Sequence, residues 1–431
     1  MDLSVLILAL SFIILLSLNV PIAISIGVST LLTMLFTIDF MPAITTVAQQ
    51  MATGINSFAL LAIPFFILSG LLMGQGGIAR RLIDFAKVLV GMFPGGLAYV
   101  NVLSCMFFGS ISGSAVAATS AIGGFMIPVM NKEGYNRDFN AAITVTASTT
   151  GLLIPPSNVL IVYSLASGGV SIAALFIAGY LPGILVGLGL ICVAAILSVV
   201  KQYPVAGRLL ILESLKRFLD AIPSLLLVVI VIGGIIAGIF TATEASAVAV
   251  IYSLILSVII YREVKWRDLP EILIKTVETT AIVMLLIGTS KAMSWILSYE
   301  NIPQTISATL IGLTESKVLI LLIINMILLA VGTFMDMTPA VLIFTPIFLP
   351  VMTQLGINPI HFGIILVLNL CIGLCTPPVG SVLFVGCGIA NTTISKMIKP
   401  LIPFYIAMIV ALILVTYIPE ISMFLPTFFG Y

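Results

Sequence analysis

Two short segments of this chain carry a pattern that frees backbone oxygens inside apolar surroundings. Ser148-Thr149-Thr150-Gly151 leads into Ile154-Pro155-Pro156-Ser157-Asn158, and Gly373-Leu374-Cys375-Thr376 leads into Pro377-Pro378-Val379-Gly380-Ser381, each inside an otherwise apolar stretch. Consecutive prolines delete two backbone donors and turn the preceding residue away from helical geometry, so a helix running through either segment must unwind. The carbonyls and hydroxyls freed there are hard oxygen ligands, and a helix C-terminus adds negative partial charge, a combination that suits Na+. A helix restarting beyond the break presents N–H groups that suit a carboxylate.

A second irregularity accompanies each breaker. Gly109-Ser110-Ile111-Ser112-Gly113-Ser114 and Gly332-Thr333-Phe334-Met335-Asp336-Met337-Thr338-Pro339 read as the tips of helical hairpins. One sodium site is expected in each half, where a tip meets its own broken helix. The first takes Ser110, Ser112 and Gly113 with Thr149, Gly151, Ile154 and Pro155; the second takes Gly332, Thr333, Met335 and Asp336 with Gly373, Cys375, Thr376 and Pro377. The substrate is expected between the halves, near Ser114, Ser157, Asn158, Lys291, Gly380 and Ser381. Asp336 is the residue expected to tune the second sodium site, since a charge at a helix centre costs about 2.5–3.5 kcal/mol on insertion scales and is functional by default.

Other readings stand beside these. Gly109, Gly113 and their small neighbours also suit a close helix contact. Glu244, in Thr241-Ala242-Thr243-Glu244, reads equally well as a helix cap near a periplasmic turn. Lys291 reads either as the partner of a substrate carboxylate or as a lysine snorkelling to an interface. His361, the sole histidine, is expected in a loop near the periplasm rather than in a proton relay.

The elements that must position these residues are membrane helices. Hydrophobic residues make up 61% of the 431 residues and charged ones 8%, against about 25% charged in ordinary soluble domains. Long apolar runs such as Leu3–Leu18, Leu225–Phe240 and Leu401–Val415 recur, close to the roughly 20 residues that span about 30 Å of hydrocarbon. The start Met-Asp lacks a basic region and a cleavage site, so the first run is read as a membrane helix. Five cysteines, all in apolar stretches, imply no disulfide framework or metal cluster, and the formal charge of +1 without a basic run excludes nucleic acid as a partner.

The chain repeats itself. Pro128-Val129-Met130, Gly134 and Asn136 reappear as Pro350-Val351-Met352, Gly356 and Asn358, and Pro155-Pro156 as Pro377-Pro378, at one interval (350 − 128 = 377 − 155 = 222). Lys132 and Arg137 flank the first Gly-Tyr-Asn turn while the second turn carries no basic residue; Lys396 and Lys399 have no counterpart near Ala174–Ile177. Basic residues concentrate in short cytoplasmic loops, so equivalent turns face opposite compartments, the mark of an inverted repeat.

The predicted architecture is therefore all-α and polytopic, with about five crossings per half, a non-crossing hairpin and a discontinuous helix in each, and both termini periplasmic. The first repeat is expected over 1–200, with its hairpin at about 95–131 and its broken helix at about 138–167. A cytoplasmic connector follows at 201–220, then the second repeat over 221–431 with its hairpin at about 317–354 and its broken helix at about 361–390. Ile78, Leu82, Phe85 and Leu89 alternate at helical spacing with Arg80, Arg81, Asp84 and Lys87, which suits either a helix lying in the cytoplasmic interface or the charged end of a crossing.

Ser112-Gly113-Ser114-Ala115, the two Pro-Pro segments, Met335-Asp336-Met337-Thr338-Pro339, and Ala62-Ile63-Pro64-Phe65-Phe66 with Gly76-Gly77-Ile78 together resemble the large membrane subunit of tripartite ATP-independent periplasmic (TRAP) transporters. The resemblance spans the chain. It implies an elevator-type carrier of the bacterial inner membrane that works with a small membrane subunit and a periplasmic binding protein, and that uses a sodium gradient to take up an organic acid. The absence of a further N-terminal bundle resembles the unfused form. Leu152–Val159 most resembles sialic-acid members, with C4-dicarboxylate carriers close behind. No cofactor beyond the coupling Na+ is implied. An intramembrane enzyme would need Asp-rich, Ser-His or His-rich sets that one histidine cannot supply, and a channel would not need two opposed hairpins.

Overall fold

The computed structural model of the chain describes residues 3–204, 211–314 and 316–431, so the connector expected at 201–220 lies partly outside the described residues. Among them there are helices and no strands. The first half runs α1 (Leu3–Ser17), α2 (Ile22–Thr37), α3 (Phe40–Ile55), α4 (Ala62–Gln75), α5 (Ile78–Val90), α6 (Gly96–Ser112), α7 (Ala115–Lys132), α8 (Arg137–Thr150), α9 (Asn158–Ala166) and α10 (Ile172–Val200). The second runs α11 (Ile211–Ile236), α12 (Ala242–Leu254), α13 (Leu269–Tyr299), α14 (Ile302–Leu313), α15 (Lys317–Gly332), α16 (Met337–Gln354), α17 (Pro359–Leu374), α18 (Ser381–Ala390), α19 (Ile394–Tyr417) and α20 (Glu420–Phe428). Among the described residues, seven helices are long and apolar enough to cross a bilayer by length and composition.

The sequence interval of 222 is an interval between helix starts. It separates α7 from α16 (337 − 115), α8 from α17 (359 − 137) and α10 from α19 (394 − 172). The caps repeat as well: Asn136 Oδ1 accepts from the N–H of Asp138 at 3.0 Å and Asn358 Oδ1 from that of Ile360 at 2.8 Å, each satisfying a donor that the first helical turn leaves open.

Contacts between the halves give their relative direction. The end of α9 meets the start of α17, where the Tyr163 hydroxyl donates to Pro359 O at 2.5 Å, and the turn after α18 meets the start of α8, where Thr392 bonds Asp138. The two broken helices therefore run antiparallel. α6 begins and α7 ends on one face, where Tyr135 stacks on Tyr203 at 4.3 Å. α15 begins and α16 ends on the other, where Tyr417 bonds Val318 O and Ser307 bonds Gln354. Each hairpin thus enters and leaves by one face, and the two faces are opposite: two inverted repeats, with crossings α1, α2, α4, α8–α9 and α10 in the first half and α11, α12, α13, α17–α18 and α19 in the second. The start of α1 reaches the second face, where Ser4 donates to Glu300, and α20 lies there against His361 through Ser422, 2.6 Å from Nδ1.

Three local features differ from, or decide between, the sequence readings. His361 sits in the first turn of α17 and is buried, not in a loop, because the Asn358 cap and Pro359 start the helix before it. Glu244 is a cap: the N–H of Thr241 donates to its Oε2 at 2.8 Å while its own N–H donates to the Thr241 hydroxyl, a reciprocal capping box. α5 buries Ile78, Leu82 and Phe85, whereas Leu89 points outward. Its polar side is tied to neighbours by Arg81 over the Tyr261 ring at 3.5 Å and by Asp84 with Arg217 at 3.5 Å. The first half also contains α3, separated from α4 by a 3-10 turn at Phe58–Leu61, where the second half has the single long α13.

Asn136→Cys and Asn358→Cys, each made singly, should react with a membrane-impermeant maleimide from opposite sides of sealed vesicles. Labelling of both from the same side would contradict the inverted arrangement.

Candidate functional site

Each break is held to its hairpin by a pair of glycines. A Cβ placed on Gly151 would lie 2.4 Å from Gly109 Cα, and one on Gly373 would lie 2.5 Å from Gly332 Cα. No side chain fits in either crossing, so the main chain of each hairpin lies directly on the main chain of each broken helix, as small residues permit between membrane helices. The packing reading therefore holds for Gly109. Gly113 does something else: with φ +62 it reverses the chain at the first tip, a conformation that glycine adopts without cost.

In the first break, α8 ends at Thr150 and α9 restarts at Asn158; the Pro155–Pro156 bond is cis, as is Pro377–Pro378 in the second. The carbonyls of Ile154, Pro155 and Pro156 accept no hydrogen bond among the described residues, and neither do those of Thr376, Pro377, Pro378 and Val379. Main-chain oxygens inside a protein are otherwise nearly always paired. The nearby hydroxyls send their protons backward: Ser110 to Phe107 O at 2.8 Å, Thr149 to Thr146 O at 2.9 Å, Thr333 to Ala330 O at 2.7 Å and Thr376 to Ile372 O at 2.7 Å. A hydroxyl whose proton is committed in this way offers only lone pairs, which is what a hard cation takes.

The two halves are not equivalent. Pro155 and Pro156 are buried, whereas Pro378 and Val379 are exposed. The Tyr405 hydroxyl donates to Cys375 O, while the matching position of α10 is Gly183 (405 − 183 = 222), packed on Ile154. The Cys375 thiol points away from the break, toward Val145 O of α8. In the second half the N–H of Gly380 reaches Thr333 O at 3.4 Å, and Asp336 accepts from the Ser381 hydroxyl at 3.4 Å.

Both tips and both restarts open on one cavity of about 390 Å³. Ser112, Gly113 and Ser114 line it from the first tip, Asp336 and Thr338 from the second, and Asn158 and Ser381 from the restarting helices. Four helix N-termini, those of α7, α9, α16 and α18, converge there, each equivalent to about half a positive charge. The Asn158 side-chain oxygen is buried without a partner. Among the described residues, Asp336 is the only charged side chain in the lining.

Several expected residues lie elsewhere. Ser157 is fully buried and donates to Leu152 O at 2.5 Å, tying the break shut instead of facing the cavity. Lys291 lies in a separate cavity on the outer side. Sequence reasoning missed the apolar wall: Ile63, Ile67 and Gly70 of α4 and Ile282, Val283 and Leu286 of α13 close the central cavity. These letters carry no chemical signal; only Gly70, where a Cβ would lie 3.0 Å from Ser112 O, marks a close approach.

Residues 9–421 match the model of the family described as "Tripartite ATP-independent periplasmic transporter, DctM component". The chain belongs to this TRAP transporter family. It is 54% identical to the uncharacterized protein YgiK of Salmonella typhimurium over 97% of this chain and 96% of that one. It is 42% identical to the C4-dicarboxylate TRAP transporter large permease protein DctM of Pseudomonas aeruginosa, over 94% of each. It is 37% identical to the sialic acid TRAP transporter large permease protein SiaM of Vibrio cholerae, over 89% of this chain and 90% of that one. In fold it is similar to the crystal structure of the Alcanivorax borkumensis YdaH transporter, with TM-score 0.61 at 14% identity over 90% and 88% of the two chains. This TRAP permease is a multi-pass inner-membrane secondary transporter, not an enzyme.

Gly151→Ala in the permease should force the hairpin off the broken helix and cost about 1–3 kcal/mol, as overpacking of a tight contact does, read as a lowered unfolding temperature in detergent. Gly124→Ala, in the interior of α7 with nothing within 4 Å of its added Cβ, should not lower that temperature and should raise it slightly, since alanine is the better helix former by about 0.5–1 kcal/mol.

Proposed function

We propose that this permease couples Na+ entry to uptake of a small organic acid, which it receives from a periplasmic binding protein while assembled with a small membrane subunit. The observation that carries the reading is the sharing of one cavity by four helix N-termini and the Asp336 carboxylate. The N-termini favour an anion. Asp336 opposes it: two unit charges roughly 8 Å apart at an effective dielectric of 20 repel by about 2 kcal/mol. A cation held at the second tip, by Asp336 with the free carbonyls of Thr376 and Pro377, removes that penalty. Cation and anion then promote each other's binding by equal amounts, which is the thermodynamic core of symport. The first tip, with Ser110, Ser112 and Gly113 facing Thr149, Gly151, Ile154 and Pro155, forms the companion sodium site.

An elevator movement is supported by what does not join the parts. Among the described residues, no hydrogen bond or ion pair links α1–α4 and α11–α13 to α6–α10 and α15–α20. An interface without such bonds lets one body slide on the other without breaking directional contacts. Apart from Lys291 and Lys317, the described basic residues gather on the face where the first hairpin enters, and both chain ends lie toward the other. With the positive face cytoplasmic, both termini are periplasmic. The substrate is sialic acid or a similar carboxylate, with a C4-dicarboxylate as the alternative.

Proteoliposomes with the small subunit and the cognate binding protein should accumulate labelled sialic acid or succinate only under an inward sodium gradient; sodium-independent uptake would reject the coupling. Asp336→Ala and Ser112→Ala should raise the sodium concentration needed for half-maximal uptake. Replacing Pro155-Pro156 by Ala-Ala should let the helix rewind and abolish transport while the protein still folds, and normal transport by that variant would remove the first break from the site.

A further inference from the structure

Beside the central cavity lies a second one of about 330 Å³, lined by Ser290, Lys291 and Ser294 of α13, by Thr53 and Ser57 around the end of α3, and by the Gly168-Gly169 turn after α9. It continues the first cavity toward the face that carries both chain ends. On α13 the lining passes from Leu286 in the central cavity to Ile287 and Ser290 in the outer one, and on α9 from Val162 to Leu165. A helix rises about 1.5 Å per residue, so the step from one cavity to the other is about one helical turn.

Lys291 is placed there with care. A Cβ on Gly54 would lie 2.7 Å from Lys291 Cβ, so the glycine is what lets the lysine stem lie along α3. Lys291 is exposed to the cavity, and because the rest of the lining is neutral it has no carboxylate partner among the described residues. Next to it the Ser290 hydroxyl is buried at 4% exposure without a hydrogen-bond partner. A cation with no counter-ion and an unsatisfied hydroxyl, side by side in a cavity, are what an anionic group requires.

We infer that this outer cavity is an anion-capturing antechamber, in which Lys291 and Ser290 hold the carboxylate of the organic acid before it moves to the helix N-termini of the central site. The assignment rests on the organic-acid reading above and adds to it a second, earlier binding position. It also accounts for the lysine's location: left in the central cavity, a fixed cation would pair with Asp336 and block the sodium site, whereas one turn away it recruits the anion and releases it.

The test uses the complete transporter in proteoliposomes, with sialic acid and succinate as probes. Lys291→Gln should raise KM roughly tenfold, the size of one charge-assisted contact, with kcat and the sodium dependence kept; Lys291→Arg should restore KM. Lys291→Cys should regain low KM after reaction with an ethylammonium methanethiosulfonate and lose it further with a sulfonated one, wild-type protein treated alike serving as control. An unchanged KM in Lys291→Gln, or equal effects of the two reagents, overturns the antechamber while sodium-driven uptake by wild type leaves the central reading standing. No uptake of either acid by wild type removes both.

Discussion

A main chain in hydrocarbon must satisfy its own polar groups, and everything specific about this protein follows from two places where it does not. Most of the helices pair their carbonyls internally. The Pro-Pro segments cannot, because they lack the donors and the geometry for it. Unwound backbone at that depth survives only inside protein or beside a polar cavity, so the rest of the fold has to bring cover to it. The hairpins are that cover. Each tip lies on a break through a glycine pair, Gly109 with Gly151 and Gly332 with Gly373, where a Cβ on Gly151 or Gly373 would fall within 2.5 Å of the hairpin main chain.

Duplication of this arrangement in opposite senses turns a local defect into a site. Antiparallel broken helices place two restarting N-termini next to two hairpin N-termini, so positive ends gather around one cavity while free carbonyls flank it. Fixed dipoles can then do the work of cationic side chains for an anion. The halves have diverged in detail: a Tyr405 hydroxyl occupies Cys375 O in one and a glycine stands in that slot in the other, and only the second tip carries a formal charge. An inexact repeat therefore gives the two proposed cation sites unlike surroundings.

The connecting helices differ in their attachments. α5 is bound to α11 through Asp84 and to Tyr261, beyond the end of α12, through Arg81, whereas α14 is tied to α16 through Ser307. Among the described residues, directional bonds therefore lie within each body and along its arms, and none joins one body to the other. That distribution puts strength where the breaks are held and leaves the contact between the bodies free of the bonds that the proposed movement would have to break.

The repeat, the breaks, the hairpin tips and the membrane class were legible in the sequence because each depends on local covalent facts: proline has no N–H, glycine has no Cβ, and an apolar run of 20 residues can span a bilayer. Charge placement supplied the inverted sense, since it reports on the compartment and not on packing. Other features were settled only by tertiary contact. Ser157 and Asn158 are neighbours in sequence, yet one is spent closing the break and the other opens on the cavity. Lys291 carries the same letter wherever it faces, and its distance from the central site depends on how α13 lies against α3 and α9. The apolar wall from α4 and α13 had no signature at all. A residue's intrinsic chemistry is written in its type, but which groups share a cavity is fixed by long-range packing, and one turn of helix is enough to move a side chain from one site to the next.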